Sequence, residues 1–358
     1  MKAIIFEEIN QVAVADVEKP SIEHPDDAIV KVTLSSICGS DIHMIHGAAP
    51  MMPGTILGHE FVGVVEECGE GIDGFAPGDR VAVACTVQCG KCEMCQKGLA
   101  AKCKKGGVFG CGPFLGNFDG AQAEYIRVPY AQLGMHKIPP SLSDEQVLLV
   151  GDILSTGYFG VINGKICPGD SVVVFGAGPV GLCAIACATL FSPAKLIAVD
   201  PIPGRLKVAR ALGATHTIDP GKKDVIHEIQ ELTGGAPRDI LEQVKSRCGA
   251  DVVIEAVGIK STFDACFQAV RPGGNVSIIG IFEDPQELMM PQLSIKNIGV
   301  SMGLVNVVHM DRLLRLIEAG LLDATPLITH RMSLEEGVKG YEMFQKRSDD
   351  VIKIALTP

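Results

Sequence analysis

The segment CGKCEMCQKGLAAKC sets Cys89, Cys92 and Cys95 three residues apart and Cys103 eight further on. Four thiolates at such spacing can wrap one Zn²⁺ tetrahedrally with every coordination position filled, which holds a loop and leaves no room for a substrate. Lys91, Lys97, Lys102, Lys104 and Lys105 lie close by in the chain to offset the negative charge of a four-thiolate zinc. Two other readings of this spacing are buried thiols without metal and a zinc ribbon that binds nucleic acid. The density of cysteines speaks against the first, and the formal net charge of −11 against the second.

A second signal is a lone carboxylate. The stretch EQVLLVGDILSTGYFGVINGK, residues 145–165, has one charged side chain between its ends, Asp152. An ionised carboxylate in apolar company costs on the order of several kcal/mol unless something positive or protic meets it. SICGSDIH offers Cys38, Ser40 and His43, and ILGHEFVG offers His59 and Glu60. Each piece is weak alone, because a solitary histidine is more often a satisfied core or surface residue than a ligand. Together, Cys38, His59 and Asp152 would supply a thiolate, an imidazole and a carboxylate with a fourth position open, the catalytic arrangement for zinc. The charges of Cys38 and Asp152 would then balance the metal.

A third signal is SVVVFGAGPVGLCAIACATL, in which Gly176, Gly178 and Gly181 follow a predicted strand and open a predicted helix, with Pro179 and Val180 between the last two glycines. Strand, glycines, helix, strand KLIAVD and acidic end Asp200, in that order, form a dinucleotide fingerprint. Asp200 can bond both hydroxyls of the adenosine ribose and would repel a 2′-phosphate, so NAD is expected over NADP. Arg205 is the nearby residue that would soften that preference. A nucleotide-free α/β domain is the other reading of the glycines.

These residues need a scaffold, and the chain of 358 residues is long enough for two domains. Forty-one glycines and the absence of tryptophan suit many tight strand-to-helix turns. Residues 1 to about 130 read as strands, QVAVADV, DAIVKVTLSSI, EFVGVVEEC, DRVAVAC and AEYIRVP, separated by Gly, Pro and Asp turns. From Ser171 the strands SVVVFGA, KLIAVD, ADVVIEAV and NVSIIG alternate with the helical LKVARALGA and TFDACFQAV, the rhythm of a doubly wound parallel sheet. A last amphipathic helix near SLEEGVKGYEMFQKR precedes a strand VIKIALTP. The uncharged run Ser171–Ala194 is interrupted by glycine and proline and reads as strand, turn and helix rather than a membrane span. The acidic balance argues against nucleic acid and anionic membranes as partners. Met1 leads straight into an alternating strand with no secretory pattern, so a cytoplasmic location is expected, and the 13 cysteines are expected to be metal ligands and buried thiols.

The motifs CGSDIH, GHEFVG, PGDRV, the CxxCxxCx7C lobe, DILSTGY and GAGPVGL stand in the order of a known family. The chain resembles the zinc-dependent medium-chain alcohol dehydrogenases essentially end to end. DILSTGY with GAQAEYIRVPYA is closer still to bacterial members similar to the glutathione-independent formaldehyde dehydrogenase-like branch. The resemblance implies an α/β fold in two parts: a GroES-like β-rich catalytic domain over 1–153 and 301–358, with a structural zinc lobe at 89–103, and a Rossmann NAD-binding domain over 154–300. It implies two zinc ions per chain, the catalytic one on Cys38, His59 and Asp152 and the structural one on Cys89, Cys92, Cys95 and Cys103. Many relatives carry Cys where this chain has Asp152, a change that leaves the ligand set chemically sound.

By position, Glu60 is similar to a residue that exchanges with the zinc-bound water. Ser40 looks like the hydroxyl that takes the alcohol proton, and His43 like the next relay member. Thr156 matches a position against the nicotinamide and Lys353 one near the pyrophosphate, while Cys85 falls where many relatives place a bulky pocket residue. The function implied is reversible, NAD-linked oxidation of a primary or secondary alcohol to an aldehyde or ketone by a homotetramer. The alternatives are a polyol or diol dehydrogenase and a formaldehyde dehydrogenase or dismutase-like enzyme. A non-catalytic nucleotide sensor or zinc store would not need Cys38, Ser40, His43, His59 and Asp152 together. His46 is expected in a loop, and Cys183, Cys187, Cys248 and Cys266 as small buried residues.

Overall fold

The computed structural model describes residues 1–235, 248–346 and 350–358. The chain divides into two units, Met1–Ser155 with Asn306–Pro358, and Thr156–Val305. The divisions fall slightly beyond the expected 153/154 and 300/301. The reason at the second is that a strand, Gly299–Met302, straddles the expected boundary and completes a sheet of the second unit.

The first unit is built around one long strand, Ala28–Ile37, within a seven-stranded sheet. Phe61–Cys68 runs antiparallel along one side, with Ser35 opposite Phe61. The other side is shared by Tyr125–Val128 near the strand's start and Lys353–Thr357 near its end, where Ile37 lies opposite Ile354. Alternation along AIVKVTLSSI and its neighbours sends Val30, Val32, Phe61, Val81, Val83, Phe109 and Ile126 into one core. A second core holds Ile4, Ile37, Leu57, Tyr341 and Ile354 beneath the C-terminal helix Gly337–Lys346. Each large side chain buried this way contributes about 1.5–3 kcal/mol. That helix stands where SLEEGVKGYEMFQKR predicts it, after a single turn Leu334–Glu336; Arg347, the last residue of the expected stretch, lies outside the described residues.

The consequence for chemistry is local. Cys38 follows the end of the long strand, Glu60 precedes the start of its antiparallel neighbour, and Lys353 opens the strand on the opposite side. Three chain segments far apart in sequence therefore meet at one end of three neighbouring strands.

The second unit is a six-stranded sheet in the order His216–Ile218, Lys195–Val199, Ser171–Phe175, Ala250–Glu255, Val270–Ile278, Gly299–Met302, every pair parallel. The order reverses between Ser171–Phe175 and Ala250–Glu255, which is the doubly wound plan with its switch point there. The helices Pro203–Ala211 and Lys260–Ala269 occupy the stretches expected to be helical. The short edge strands His216–Ile218 and Gly299–Met302 were not anticipated, because three or four residues carry too little alternation to register. Ser171–Ala194 forms the strand Ser171–Phe175 and the helix Pro179–Thr189. Among the described residues, no single helix is long and apolar enough to cross a membrane.

Candidate active site

Cys38, His59 and Asp152 converge: one ligand atom of each lies within 4.8 Å of the others. Cys38 caps the helix Gly39–Ile45, so its side chain stands at the strand-to-helix corner. His59 arrives two residues before Phe61 on the neighbouring strand. Asp152 is set at the break between the turn Leu148–Gly151 and the helix Ile153–Gly164. Gly151 allows this approach, because a Cβ there would stand 2.1 Å from the Val83 carbonyl, and its own carbonyl accepts from the Cys85 N–H at 2.9 Å.

Within the cluster, His59 Nε2 is 3.4 Å from Asp152 Oδ2, and Cys38 Sγ is 3.5 Å from the same oxygen. Ser40 Oγ lies 3.0 Å from His59 Nε2 and 3.3 Å from Cys38 Sγ. Behind the imidazole, His59 Nδ1 faces Asp41 Oδ1 at 3.1 Å. The side chain of Asp152 is only 13% exposed, and His59 is buried. His43 sits one turn along from Ser40 on the same short helix, half-buried.

The electrostatics describe a site built for a cation. Burial opposes a charge on His59, but Asp41 and Asp152 outweigh it and hold the imidazole well above its ordinary pKa. Burial likewise pushes the Cys38 thiol up, with Lys353 pulling the other way. Burial would raise Asp152, yet its bond to His59 takes the carboxyl down to about 2. Groups that compete this strongly for protons would satisfy a metal ion at the same point, and thiolate plus carboxylate match the two charges of Zn²⁺. Glu60 Oε1 adds a buried oxygen without a hydrogen bond among the described residues. The donor set fits zinc with a position left for substrate.

Lys353 departs from expectation. Instead of facing a pyrophosphate, it is fully buried, with Nζ paired to Glu60 Oε2 and donating to the Ile37 carbonyl at 2.9 Å and Ser36 Oγ at 3.4 Å. The register of Lys353–Thr357 beside Ala28–Ile37 points this side chain under Glu60, so it meets the buried carboxylate and leaves Cys38 and Asp152 to a metal. Burial opposes its charge, but Cys38 and Glu60 hold its pKa above the ordinary value.

The four-cysteine lobe also closes on itself: the ligand atoms of Cys89, Cys92, Cys95 and Cys103 lie within 4.8 Å of one another, and none is in a disulfide. The sulfurs of Cys92 and Cys95 are 3.5 Å apart. Backbone N–H groups of Cys89 and Lys105 donate to Cys103 Sγ at 3.2 and 3.4 Å. The N–H groups of Cys95 and Lys104 take the Cys92 thiol down to about 6, while burial and neighbouring thiols push Cys95 up to about 12. Backbone donors aimed at sulfur are what thiolates under a metal require, so this set fits a closed zinc site.

In the second unit, Gly176 has φ +93, and a Cβ on Gly181 would stand 1.9 Å from the Gly176 carbonyl, so only glycine lets the helix pack this closely on the loop. Gly178 caps the helix Pro179–Thr189, with Pro179 and Val180 in its first turn, and its unpaired N–H groups form an anion-binding end. Asp200 is buried at the end of Lys195–Val199. Its Oδ2 accepts from the Ala177 N–H at 2.8 Å and its Oδ1 from the Ile202 N–H at 2.8 Å. Arg205 approaches Asp200 Oδ2 at 4.0 Å. Each carboxylate oxygen keeps a second lone pair for a ribose hydroxyl. Thr156 is one helical turn beyond Asp152 on Ile153–Gly164.

Sequence reasoning passed over Asp41, although it stands inside CGSDIH, and over Ser36, Gln122 and Tyr341. Asp41 had a signal, its place two residues before His43 in a ligand motif; Tyr341 had none. Cys85 is buried, and burial together with the negative charge of Asp152 pushes its thiol well up. Cys183, Cys187, Cys248 and Cys266 are buried as expected.

One unit with an open three-ligand site and a closed four-thiol site, in a chain with a doubly wound unit bearing a dinucleotide loop, is the make-up of a metal-dependent, nicotinamide-linked dehydrogenase. Residues 24–140 match the alcohol dehydrogenase GroES-like domain and residues 179–318 the zinc-binding dehydrogenase domain. An alcohol dehydrogenase of Cupriavidus necator is 36% identical over 377 residues, covering 100% of this chain and 99% of that protein. The alcohol dehydrogenase TADH from Thermus sp. ATN1 superposes with a TM-score of 0.93 at 41% identity, covering 100% of this chain and 99% of that one. A zinc-binding dehydrogenase of Sinorhizobium meliloti bound to NADP is similar with a TM-score of 0.86 at 28% identity, covering 100% and 99%. The chain belongs to the zinc-dependent medium-chain alcohol dehydrogenases. It is an oxidoreductase that uses zinc and a nicotinamide dinucleotide to oxidise a small-molecule alcohol.

Proposed function

We propose that the catalytic zinc is held by Cys38, His59 and Asp152, that a second zinc on Cys89, Cys92, Cys95 and Cys103 holds the lobe, and that the enzyme prefers NAD to NADP. The observation that carries the first assignment is the convergence of the three ligand atoms with Ser40 Oγ 3.0 Å from His59 Nε2. Held by these residues, zinc would supply Lewis-acid polarisation of an alcohol oxygen, and a bound nicotinamide would supply the hydride acceptor. Ser40, beside the ligands, takes the alcohol proton, and His43 on the same helix passes it on. Glu60, held by Lys353 and with Oε1 lacking a hydrogen bond among the described residues, is the carboxylate that exchanges with water near the ligands. The glycine loop Gly176–Gly181 takes the pyrophosphate at the start of Pro179–Thr189, with Thr156 against the nicotinamide.

Asp200 supports NAD, because a buried carboxylate repels a 2′-phosphate; Arg205 beside it is the group through which NADP would gain entry. We assign the catalytic role to the first unit and the dinucleotide to the second. The family resemblance supports a homotetramer as the working assembly.

The test is NADH formation from NAD with primary, secondary and vicinal-diol alcohols, with and without a strong zinc chelator, alongside the zinc content of Asp152→Asn. Turnover abolished by chelator and one zinc lost in the variant is the expected result. Full zinc and unchanged turnover in Asp152→Asn would remove it from the ligand set. Best turnover on vicinal diols would move the substrate to polyols, and aldehyde consumption without net change in NADH would identify the dismutase-like alternative.

A further inference from the structure

Asp41, whose Oδ1 stands 3.1 Å from His59 Nδ1, is itself held through its other oxygen. Asp41 Oδ2 accepts from the Cys38 N–H at 2.9 Å and from Gln122 Nε2 at 3.3 Å. Gln122 Nε2 also donates to the Ser36 carbonyl at 3.1 Å, and Gln122 Oε1 accepts from the Tyr341 hydroxyl at 2.8 Å. Asp41, Gln122 and Tyr341 are 1%, 0% and 2% exposed. The amide orientation follows from its neighbours: two acceptors require the NH₂ end, so the oxygen faces Tyr341, whose hydroxyl must donate. Gly58, immediately before His59, makes the room. It has φ +93, and a Cβ there would stand 2.5 Å from Gln122 Cγ.

We propose that Gln122 and Tyr341 are positioning residues for the catalytic metal. They lock one oxygen of Asp41, which leaves the other to hold His59 Nδ1–H and keeps the Nε2 lone pair aimed at the point shared by Cys38 and Asp152. This rests on the zinc assignment above. Removing the Tyr341 hydroxyl strands the acceptor Gln122 Oε1 in the interior, and turning the amide would only set that oxygen against two other acceptors, the Ser36 carbonyl and Asp41 Oδ2, so either arrangement loosens the hold on Asp41. Asp41 then loses its fixed position, and with it the imidazole loses its orienting partner.

The test uses Tyr341→Phe, Gln122→Met and Asp41→Asn as zinc-loaded enzymes, following zinc release to a chromogenic chelator and the visible absorption of cobalt-substituted protein. Outer partners of zinc-bound histidines typically change metal affinity by about 10- to 100-fold, the range expected for Asp41→Asn. Tyr341→Phe and Gln122→Met are expected to release one zinc about 3- to 10-fold faster, with an altered cobalt spectrum, while the four-cysteine zinc is retained. A merely structural role would lower the melting temperature without this selectivity. Adding Tyr341→Phe to Asp41→Asn is expected to change nothing further, because the route through Asp41 is already cut.

Unchanged release in both single variants, or a full Tyr341→Phe effect in the Asp41→Asn background, would overturn the proposal. Cys38→Ser separates the two levels. If it keeps both zincs, the site assignment falls and takes this proposal with it; if it loses one while Tyr341→Phe releases normally, only the positioning role falls. Should Gln122→Met fail to fold, Tyr341→Phe, which removes a single oxygen, carries the test.

Discussion

Lys353 and Glu60 form an ion pair sealed within the first unit, their side chains 1% and 0% exposed. Removing one partner leaves an uncompensated buried charge, whereas removing both does not. Lys353→Met is therefore expected to cost about 3–5 kcal/mol of stability, and Glu60→Gln in the same protein to recover much of it. Chemical denaturation of the two single variants and the double variant checks this. The KM for NAD, measured on whatever Lys353→Met remains folded, should be little changed, since Lys353 faces Glu60 rather than a cofactor.

The four-cysteine lobe holds its own segment, and Asn306 ties it down by donating to the Gly98 carbonyl at 2.8 Å. Cys92→Ser should drop zinc from two to one per chain and lower the melting temperature by several degrees. The chemical step of the surviving folded enzyme should stay within a few-fold of the parent. Equal loss of that step at full folding would mean that the lobe does more than hold structure.

Asp200 joins the end of its strand to the glycine loop through Ala177 and faces Arg205. Asp200→Ser removes a charged acceptor, worth about 1.5–3 kcal/mol, so kcat/KM for NAD should fall roughly 10- to 100-fold. NADP, no longer repelled, should gain relative to NAD. Steady-state kinetics with both dinucleotides decide it; a parent enzyme that already prefers NADP would contradict the role given to Asp200.

Asp251 fastens three parallel strands near their starts. It accepts from the Ser171 N–H at 2.8 Å, from Ser171 Oγ at 2.7 Å and from Arg271 Nε at 2.6 Å. Burial raises its pKa, but Ser171 and Arg271 outweigh it and hold the carboxyl below its ordinary value. The unfolded chain then binds more protons between the two pKa values, so stability rises with pH across that window. The contribution is complete above the unfolded value of about 4 and is lost as pH falls through the lower folded one. Asp251→Asn should cost about 1–2 kcal/mol at neutral pH and progressively less in acid, as denaturation at pH 7 and pH 3 would show.

The sequence by itself determined the parts whose meaning is local. Cys89, Cys92, Cys95 and Cys103 were legible as one cluster because the spans between them are too short to carry the four thiols far apart. SVVVFGAGPVGL had to be strand, tight turn and helix because the apolar run, the glycines and Pro179 each act within a few residues. Asp152 was legible as an anomaly, a charge with no Lys or Arg near it along the chain, and Cys38 with His59 were legible as its candidates.

Tertiary structure alone decided which distant residues serve that site. Lys353 lies 293 residues from Glu60 and Tyr341 lies 219 from Gln122, and no spacing rule reaches so far. Lys353 reads as a charge in the last strand, near the pyrophosphate by resemblance, until the register of Ile354 opposite Ile37 turns it under Glu60. Tyr341 reads as one apolar residue on an amphipathic helix until that helix packs on Ile4 and Ile354 and brings its hydroxyl to Gln122. Side-chain type and short-range spacing say which chemistry a chain can hold. Strand register and helix packing, set by burial of the whole core, decide which charges and hydroxyls stand behind it.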